Sequence, residues 1–420
     1  MKQFKFIHTA DLHLDTPFKG ISTISQSIST KLIDATFYTF DTIIQQCIEN
    51  QVDFLLVTGD IYNAADRSLR AQLKFREGLK KLSNADINVY VTYGNHDPLD
   101  GWAAKLDMPE NVHIFSGNTV DKVVVTRHGE TIAQIYGISF HTRDIKTNLV
   151  HKFPDIQDNS LFTIGMLHCN LGTNTGHEPY APCKLEDLLD KGYDYWALGH
   201  VHNKSIIREG NPMIIYPGNP QGLHSKETGR RGCFLINVDN NQPYAEFIET
   251  NYIRWFEKEV SITGMTTEQE LITGISSCVE NIREEAYGRA AICRIILTGR
   301  SKLHSVITQK KGLLEDILQE LRDREEYERQ FVWVESIVNN TQPDIDRDTL
   351  LNREDFIGDL VRLFERYYQD KENITELKRY LEPLFTSINV RGFLDTIDDD
   401  TLIELVREAE AMCLDRLFGE

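Results

Sequence analysis

Residues 4–15 read FKFIHTADLHLD, an apolar run that breaks into imidazole and carboxylate side chains. The same pattern recurs four more times. DFLLVT (53–58) is followed by Gly59 and Asp60, and INVYVTY (87–93) by Gly94, Asn95, His96 and Asp97. FTIGML (162–167) stops at His168, and YDYWAL (193–198) opens onto Gly199, His200, Val201 and His202. Short β-rich apolar runs bounded by Gly and polar residues read as buried strands. Five strand ends delivering oxygen and imidazole ligands in chain order predict one sheet edge carrying a two-metal hydrolase site.

Working outward, strands are expected at 4–8, 53–58, 87–92, 132–138, 162–167, 194–198, 213–216 and 233–238. Helical spacing marks 31–50 and 68–83. The early alternation of strand and helix indicates α/β layering. The later strands follow one another with less helix between them, so two packed sheets with helices outside are expected over residues 1–250. A second pattern occupies 251–340: strands at 252–260, 291–298 and 331–338, a helix at 266–286 and one long helix at 303–327. This reads as a small α/β capping domain. Asn339–Asp348 is polar, contains Pro343 and reads as a linker. The remainder, 341–420, reads as a helical C-terminal region. Phe356, Ile357, Leu360, Val361 and Phe364 form one apolar stripe; Leu402, Leu405, Val406, Ala409 and Cys413 form another. Such stripes are usually core contacts, and partner docking is the alternative.

The chain has 420 residues, 41% hydrophobic and 26% charged, enough for two or three domains. No apolar run approaches the ~18 residues of a membrane span, and no cleavable leader is visible. A cytoplasmic protein with no membrane association is expected. Seven scattered cysteines without a Cys-x-x-Cys pair argue against zinc fingers and thioredoxin-type chemistry. The net charge is −19, which opposes nucleic-acid binding through a bulk basic footprint. Residues 251–420 carry 22 Lys and Arg against 35 Asp and Glu, either a solvated surface or a docking face for a basic partner.

Asp11 and His13 are two apart. In extended backbone they would point to the same side and share an ion. Asp60 follows Gly59, which permits a sharp turn, and its carboxylate can bridge two cations. Asn95 offers an amide oxygen; His168, His200 and His202 offer imidazoles. Mixed nitrogen and oxygen ligands without thiolate suit manganese, iron or zinc. Two ions about 3.5–4 Å apart activate water at neutral pH and clamp a phosphate for in-line attack. His96 then stands as general acid, with Asp97 expected to fix its tautomer and orientation. His8 is read as packing. His113, His128, His151 and His304 carry no role, while His141 and His177 are left open.

These motifs resemble the calcineurin-like metallophosphoesterases: Asp-x-His, Gly-Asp, Gly-Asn-His-Asp, His, and Gly-His-x-His are all present over residues 1–250. The resemblance implies that Asp11, His13, Asp60 and His202 hold one ion. Asp60, Asn95, His168 and His200 would hold the other, with His96 catalytic. HTADLHLD and YPGNPQGLHSKETGRRGCFLI (216–236) resemble the SbcD-type DNA-repair exonucleases, and GHEPYAPC (176–183) resembles their YhaO-like bacterial group. That branch implies a manganese-dependent DNA exonuclease or endonuclease, often dimeric, working with an SbcC-like coiled-coil ATPase. Two departures stand out. Some of these nucleases have a histidine three residues after the Gly-Asp aspartate, where this chain has Asn63. Gly218-Asn219 replaces a Gly-Ser. Lys226, Arg230 and Arg231 form a basic cluster that either contacts a phosphate backbone or is solvated.

The metal pair alone serves DNA and small nucleotides equally. The capping domain and tail favour DNA, because small-molecule phosphatases rarely need them. A small-nucleotide phosphodiesterase or phosphatase, and a regulatory subunit of an ATPase complex, are the alternatives.

Overall fold

The computed structural model describes residues 3–19, 26–63, 68–101, 106–157, 160–172, 180–344, 347–369, 371–386 and 398–418. His177 and the start of the 176–183 segment lie outside them.

Twelve strands build two six-stranded sheets. They are β1 (Gln3–Thr9), β2 (Phe54–Thr58), β3 (Asn88–Thr92), β4 (Val112–Ile114), β5 (Asp121–Arg127), β6 (Glu130–Ile138), β7 (Phe162–His168), β8 (Tyr195–Gly199), β9 (Ser205–Arg208), β10 (Met213–Tyr216), β11 (Gly232–Asp239) and β12 (Gln242–Glu249). One sheet has the order β12-β11-β1-β2-β3-β4, the other β5-β6-β7-β8-β10-β9. The expected two-sheet mixed architecture is therefore observed.

The order explains the burial. β1, β2, β3 and β4 are mutually parallel, as are β6, β7, β8 and β10. The central strands β2, β7 and β8 are buried at every residue, the continuous apolar type of a strand covered on both faces. Phe6, Phe54, Ile164, Met166 and Tyr195 meet between the sheets, where Phe6 and Phe54 stack at 4.9 Å. Two helices, α1 (Gln26–Glu49) and α2 (Leu69–Ser83), cover the outer face of the first sheet through Phe40, Ile44, Phe75 and Leu79. Ser68 caps α2, accepting the Ala71 N–H at 2.9 Å. Trp196, Phe140 and Phe153 pack on the outer face of the second sheet. Strands β4, β5, β9 and β12 were missed by the periodicity because they sit at or near sheet edges. β5, for example, buries only Val125, so no strong alternation survives in its sequence.

Further strands β13 (Ile253–Ser261), β14 (Ala290–Thr298) and β15 (Val332–Asn339) form a three-stranded sheet in that order. The long helix expected over 303–327 is two helices, Leu303–Gln309 and Leu313–Glu325. Lys310 leaves helical geometry at ψ 84°, and Gly312 takes φ +98°, so the apolar stripe is interrupted between two short helices. The 339–348 stretch is not all linker: Asn340 and Gln342 donate their N–H groups to Leu297 and Gly299 O at 2.9 Å each.

The chain divides into two compact units. One comprises residues up to Glu257 with Val279–Arg294 and Leu321–Ser336; the other comprises Lys258–Cys278, Ile295–Glu320 and everything from Ile337. In the second, helices Phe356–Gln369 and Asp399–Phe418 meet through Val361 and Leu414, with Leu350 beside them. The two stripes are thus only partly core, since Phe356 is 68% exposed. Among the described residues no helix is long and apolar enough to cross a membrane.

Candidate metal centre

The C-terminal ends of β1, β2 and β3 lie together in the first sheet and those of β7 and β8 in the second, so the polar clusters converge from two sheets where the sequence suggested one sheet edge. Backbone hydrogen bonds lock the turns together. Asp11, His13 and Gly59 donate their N–H groups to Gly59, Asp60 and Thr92 O at 3.1, 3.0 and 3.0 Å. Asp11 and His13 are not in extended backbone, as the sequence suggested. The strand ends at Thr9, and both residues take left-handed φ values of 51° and 42°. They converge because the turn follows the Asp60 turn, not because of the strand's two-residue period. Asp60 itself has φ 51° and His200 φ 101°. Such conformations are costly for residues with a Cβ and persist where the surroundings impose them.

Two clusters have ligand atoms within 4.8 Å of one another and can hold a metal ion: Asp11, His13 and His202, and Asp11, Asp60 and His168. His13 and His202 face each other Nε2 to Nε2 at 3.2 Å. His168 Nε2 lies 3.4 Å from Asp60 Oδ2 and 3.1 Å from Asn95 Oδ1. The His200 ring lies 5.3 Å from that of His168, centroid to centroid, and its N–H reaches both Asp11 oxygens at 3.1 Å. Asp11, the carboxylate common to both clusters, is flanked by the two histidine groups. Asp60 is 1% exposed, and its charge acts on His168, His96 and His13.

Electrostatics follow from burial without a cationic side chain. No Lys or Arg pairs with Asp11 or Asp60 among the described residues. Burial pushes Asp11 up to about 6 and His13 down to about 3. Burial opposes ionisation of Asp60 too, but the imidazoles of His168, His96 and His13 hold it well below the carboxylate range. His168, against burial, is raised to about 10 by Asp60. Buried carboxylates and imidazoles lacking a protein cation fit a divalent metal centre.

Small backbones make room for this. A Cβ on Gly59, at φ +80°, would stand 2.2 Å from His168 Nδ1, and one on Gly94 would stand 2.3 Å from Asp60 Oδ1. His168 is fixed from behind by Thr58 O, 3.1 Å from its Nδ1. The ligating nitrogen of a metal-bound histidine is usually set by such a bond at the other nitrogen.

His96 stands beside the clusters. Its N–H donates to Asp60 Oδ1 at 2.9 Å, and its ring lies 5.2 Å from that of His13. The expected ring partner, Asp97, is engaged elsewhere. Its carboxylate accepts the N–H groups of Asp60, Ile61, Tyr62 and Gly94 at 3.3, 2.6, 3.3 and 2.7 Å. Four donors match the roughly four acceptor sites of a carboxylate, so Asp97 ties the two turns together. Asn63 takes the expected place, with Oδ1 3.3 Å from His96 Nδ1. His8 is a core residue whose Nδ1 meets Tyr195 OH at 2.9 Å.

Sequence reasoning missed Glu227. It is 4% exposed, and its Oε1 lies 2.6 Å from His202 Nδ1. The other oxygen accepts Leu223 N–H at 2.7 Å. Against burial, the bond to His202 lowers Glu227 to about 2. No local pattern marks a glutamate 25 residues away as an imidazole partner. The members of the basic cluster differ. Arg231 is 6% exposed and donates to Glu227 O and His202 O, while Arg230 pairs with Glu249 at 2.9 Å. Arg231 is thus committed to the protein, while the Arg230 side chain is 61% exposed and Lys226 is exposed as well.

Residues 4–204 match the calcineurin-like phosphoesterase family model, and 255–342 match the middle domain of metallophosphoesterase YhaO. The uncharacterized metallophosphoesterase YhaO of Bacillus subtilis is 33% identical over 405 residues, 96% of each chain. The chain belongs to the calcineurin-like metallophosphoesterases. This metallophosphoesterase is also similar to the DNA double-strand break repair proteins Mre11 of Methanocaldococcus jannaschii and Sulfolobus acidocaldarius. The first is 25% identical, covering 65% of this chain and 73% of that protein. The second is 22% identical, covering 77% and 81%. The family is one of metal-dependent phosphoesterases that bind two divalent ions.

Proposed function

We propose that this metallophosphoesterase is a manganese-dependent nuclease that cuts DNA in repair and works with an SbcC-like ATPase. The observation carrying the reading is the convergence of two clusters, built on the buried Asp11 and Asp60, with His96 at their side. The relatives named for DNA double-strand break repair support DNA over a small nucleotide. Asp11, His13, Asp60 and His202 are assigned to one ion. Asp60, Asn95, His168 and His200 are assigned to the other. When bound, such a pair supplies an activated water and neutralises phosphate charge.

The chain's own residues do the rest. Glu227 and Thr58 O hold His202 and His168 by their Nδ1 atoms, leaving Nε2 for ligation. Asp97 fixes the spacing of the Asp60 and Asn95 turns. As the imidazolium, His96 donates its Nδ1–H to Asn63 Oδ1 and keeps its Nε2–H for the leaving oxygen; burial lowers the His96 pKa and so favours giving that proton up. Asn63 thereby fills the place held by histidine in some nucleases with a group that orients but does not titrate.

A metal-by-substrate panel tests the reading. With manganese, the purified protein is expected to degrade linear DNA. A protein that hydrolyses a simple phosphodiester but leaves single- and double-stranded DNA intact across metals would establish the small-nucleotide alternative instead. The acidic helical tail supports docking of an ATPase partner, and removal of 341–420 is expected to abolish its capture. Dimerisation and the cytoplasm belong to the same proposal, and sedimentation and fractionation test them.

A further inference from the structure

The loop after β6, residues 139–146 (SFHTRDIK), is joined to the walls of the metal centre on both sides. On one side Phe140 N–H donates to Tyr93 O at 2.9 Å, and Leu99 and Asp100 N–H donate to Phe140 and His141 O at 3.0 and 3.1 Å. These bonds lay the loop along the turn that carries Asn95 and His96. On the other side Ala181 N–H donates to Ile145 O at 2.7 Å. The neighbouring Tyr180 sets its ring edge-on to His200, with centroids 5.7 Å apart. The loop therefore follows the rim of the centre from His96 to His200.

Arg143 stands midway along it. It is exposed and makes no hydrogen bond or ion pair among the described residues, although acidic residues outnumber basic ones by 64 to 45. Its charge acts on the His96 imidazole. Three neighbouring cations are engaged, while Lys226 is exposed on the segment that carries Glu227. Lys146 pairs with Asp144 at 2.8 Å and lies 4.6 Å over the Tyr180 ring. Arg230 and Arg231 are held by Glu249 and by backbone carbonyls. A side chain with rotamer freedom and an unneutralised charge gains most from an anion brought to the rim. A guanidinium fork matches phosphate oxygens in pairs.

We infer that Arg143 binds a phosphate of the phosphodiester substrate at the His96 side of the centre. The inference rests on the phosphodiesterase reading above and adds the substrate-binding residue that reading lacks. His141, left open by the sequence, lies on the same loop and is exposed.

The test compares wild type, Arg143→Ala and Arg143→Lys with manganese on bis(p-nitrophenyl) phosphate and on a labelled oligonucleotide. Metal content and melting temperature are measured on the same samples. For Arg143→Ala, KM on the oligonucleotide is expected to rise about 10- to 100-fold, the range of a charge-assisted hydrogen bond. The salt dependence of binding should fall by about 0.7–0.9 in log–log slope, one phosphate contact. Lysine should restore the slope but only part of KM, while metal content and melting stay at wild-type values. An active wild type with Arg143→Ala unchanged in KM and slope overturns the assignment alone. A wild type inert on both substrates overturns the phosphodiesterase reading and the assignment with it.

Discussion

Replacing Glu227 by glutamine removes one charge and almost no volume, yet it should disable one ion site. Glu227 uses two acceptor oxygens in a buried place: Oε1 faces His202 Nδ1 at 2.6 Å and His224 Nε2 at 3.3 Å, and Oε2 accepts Leu223 N–H at 2.7 Å. Glutamine has one acceptor oxygen and one NH2 donor. If its oxygen stays on His202, the NH2 faces the Leu223 N–H, donor against donor. If the amide flips, the NH2 faces Nδ1 and drives the ring proton to Nε2. That nitrogen lies 3.2 Å from His13 Nε2 and is the one assigned to the metal. The first arrangement leaves a buried donor unsatisfied, costing about 1–3 kcal/mol. The second blocks ligation, and loss of such an outer partner weakens metal binding about 10- to 100-fold. Calorimetric titration of manganese into chelator-treated Glu227→Gln should therefore show one weakened site, or else melting of the metal-free protein should fall relative to wild type. Two ions bound with wild-type affinity, together with an unchanged melting temperature, would refute the reasoning.

Other outcomes are expected. His96→Ala should lower turnover about 100- to 10,000-fold, the contribution of a positioned acid, with metal content by plasma emission unchanged; loss of metal would show that His96 is a ligand. Gly59→Ala should fail to bind metal at full stoichiometry, because its Cβ would stand 2.2 Å from His168 Nδ1 at φ +80°; full loading at wild-type stability would contradict the packing. Chelation should lower the melting temperature, and manganese at 100 times its Kd should restore about 2.7 kcal/mol; no shift would argue against a resident ion. Asn63→Ala should slow hydrolysis of alkyl phosphodiesters more than of p-nitrophenyl esters, whose leaving group needs no proton; equal slowing of both would remove Asn63 from orienting the acid.

Much of the centre was legible in the sequence because parallel strands report themselves strongly. β2, β7 and β8 are buried on both faces, so their sequences are continuous apolar runs whose polar ends are easily read. Asp11, His13, Asp60, Asn95, His168, His200 and His202 stand out as candidates because they follow such apolar runs. The edge strands β4, β5, β9 and β12 were not, because half-exposed residues carry a weaker pattern. The break at 310–312 was missed because Leu313, Leu314, Ile317 and Leu321 keep helical spacing right up to it.

The sequence by itself determined the candidate ligands and the strand ends that carry them, since strand period and chain order are local properties; that two sheets bring those ends together was decided by the tertiary structure. The sequence could not decide which groups hold those ligands in place. Asp97 satisfies backbone donors of two separate turns, Asn63 faces His96 across 33 residues, and Glu227 grips His202 across 25. Arg143 reaches the rim only because its loop is hydrogen-bonded to segments around residues 99 and 181. A hydrogen bond needs two groups within about 3 Å in a set orientation, and for groups far apart in the chain only the folded sheets bring them there.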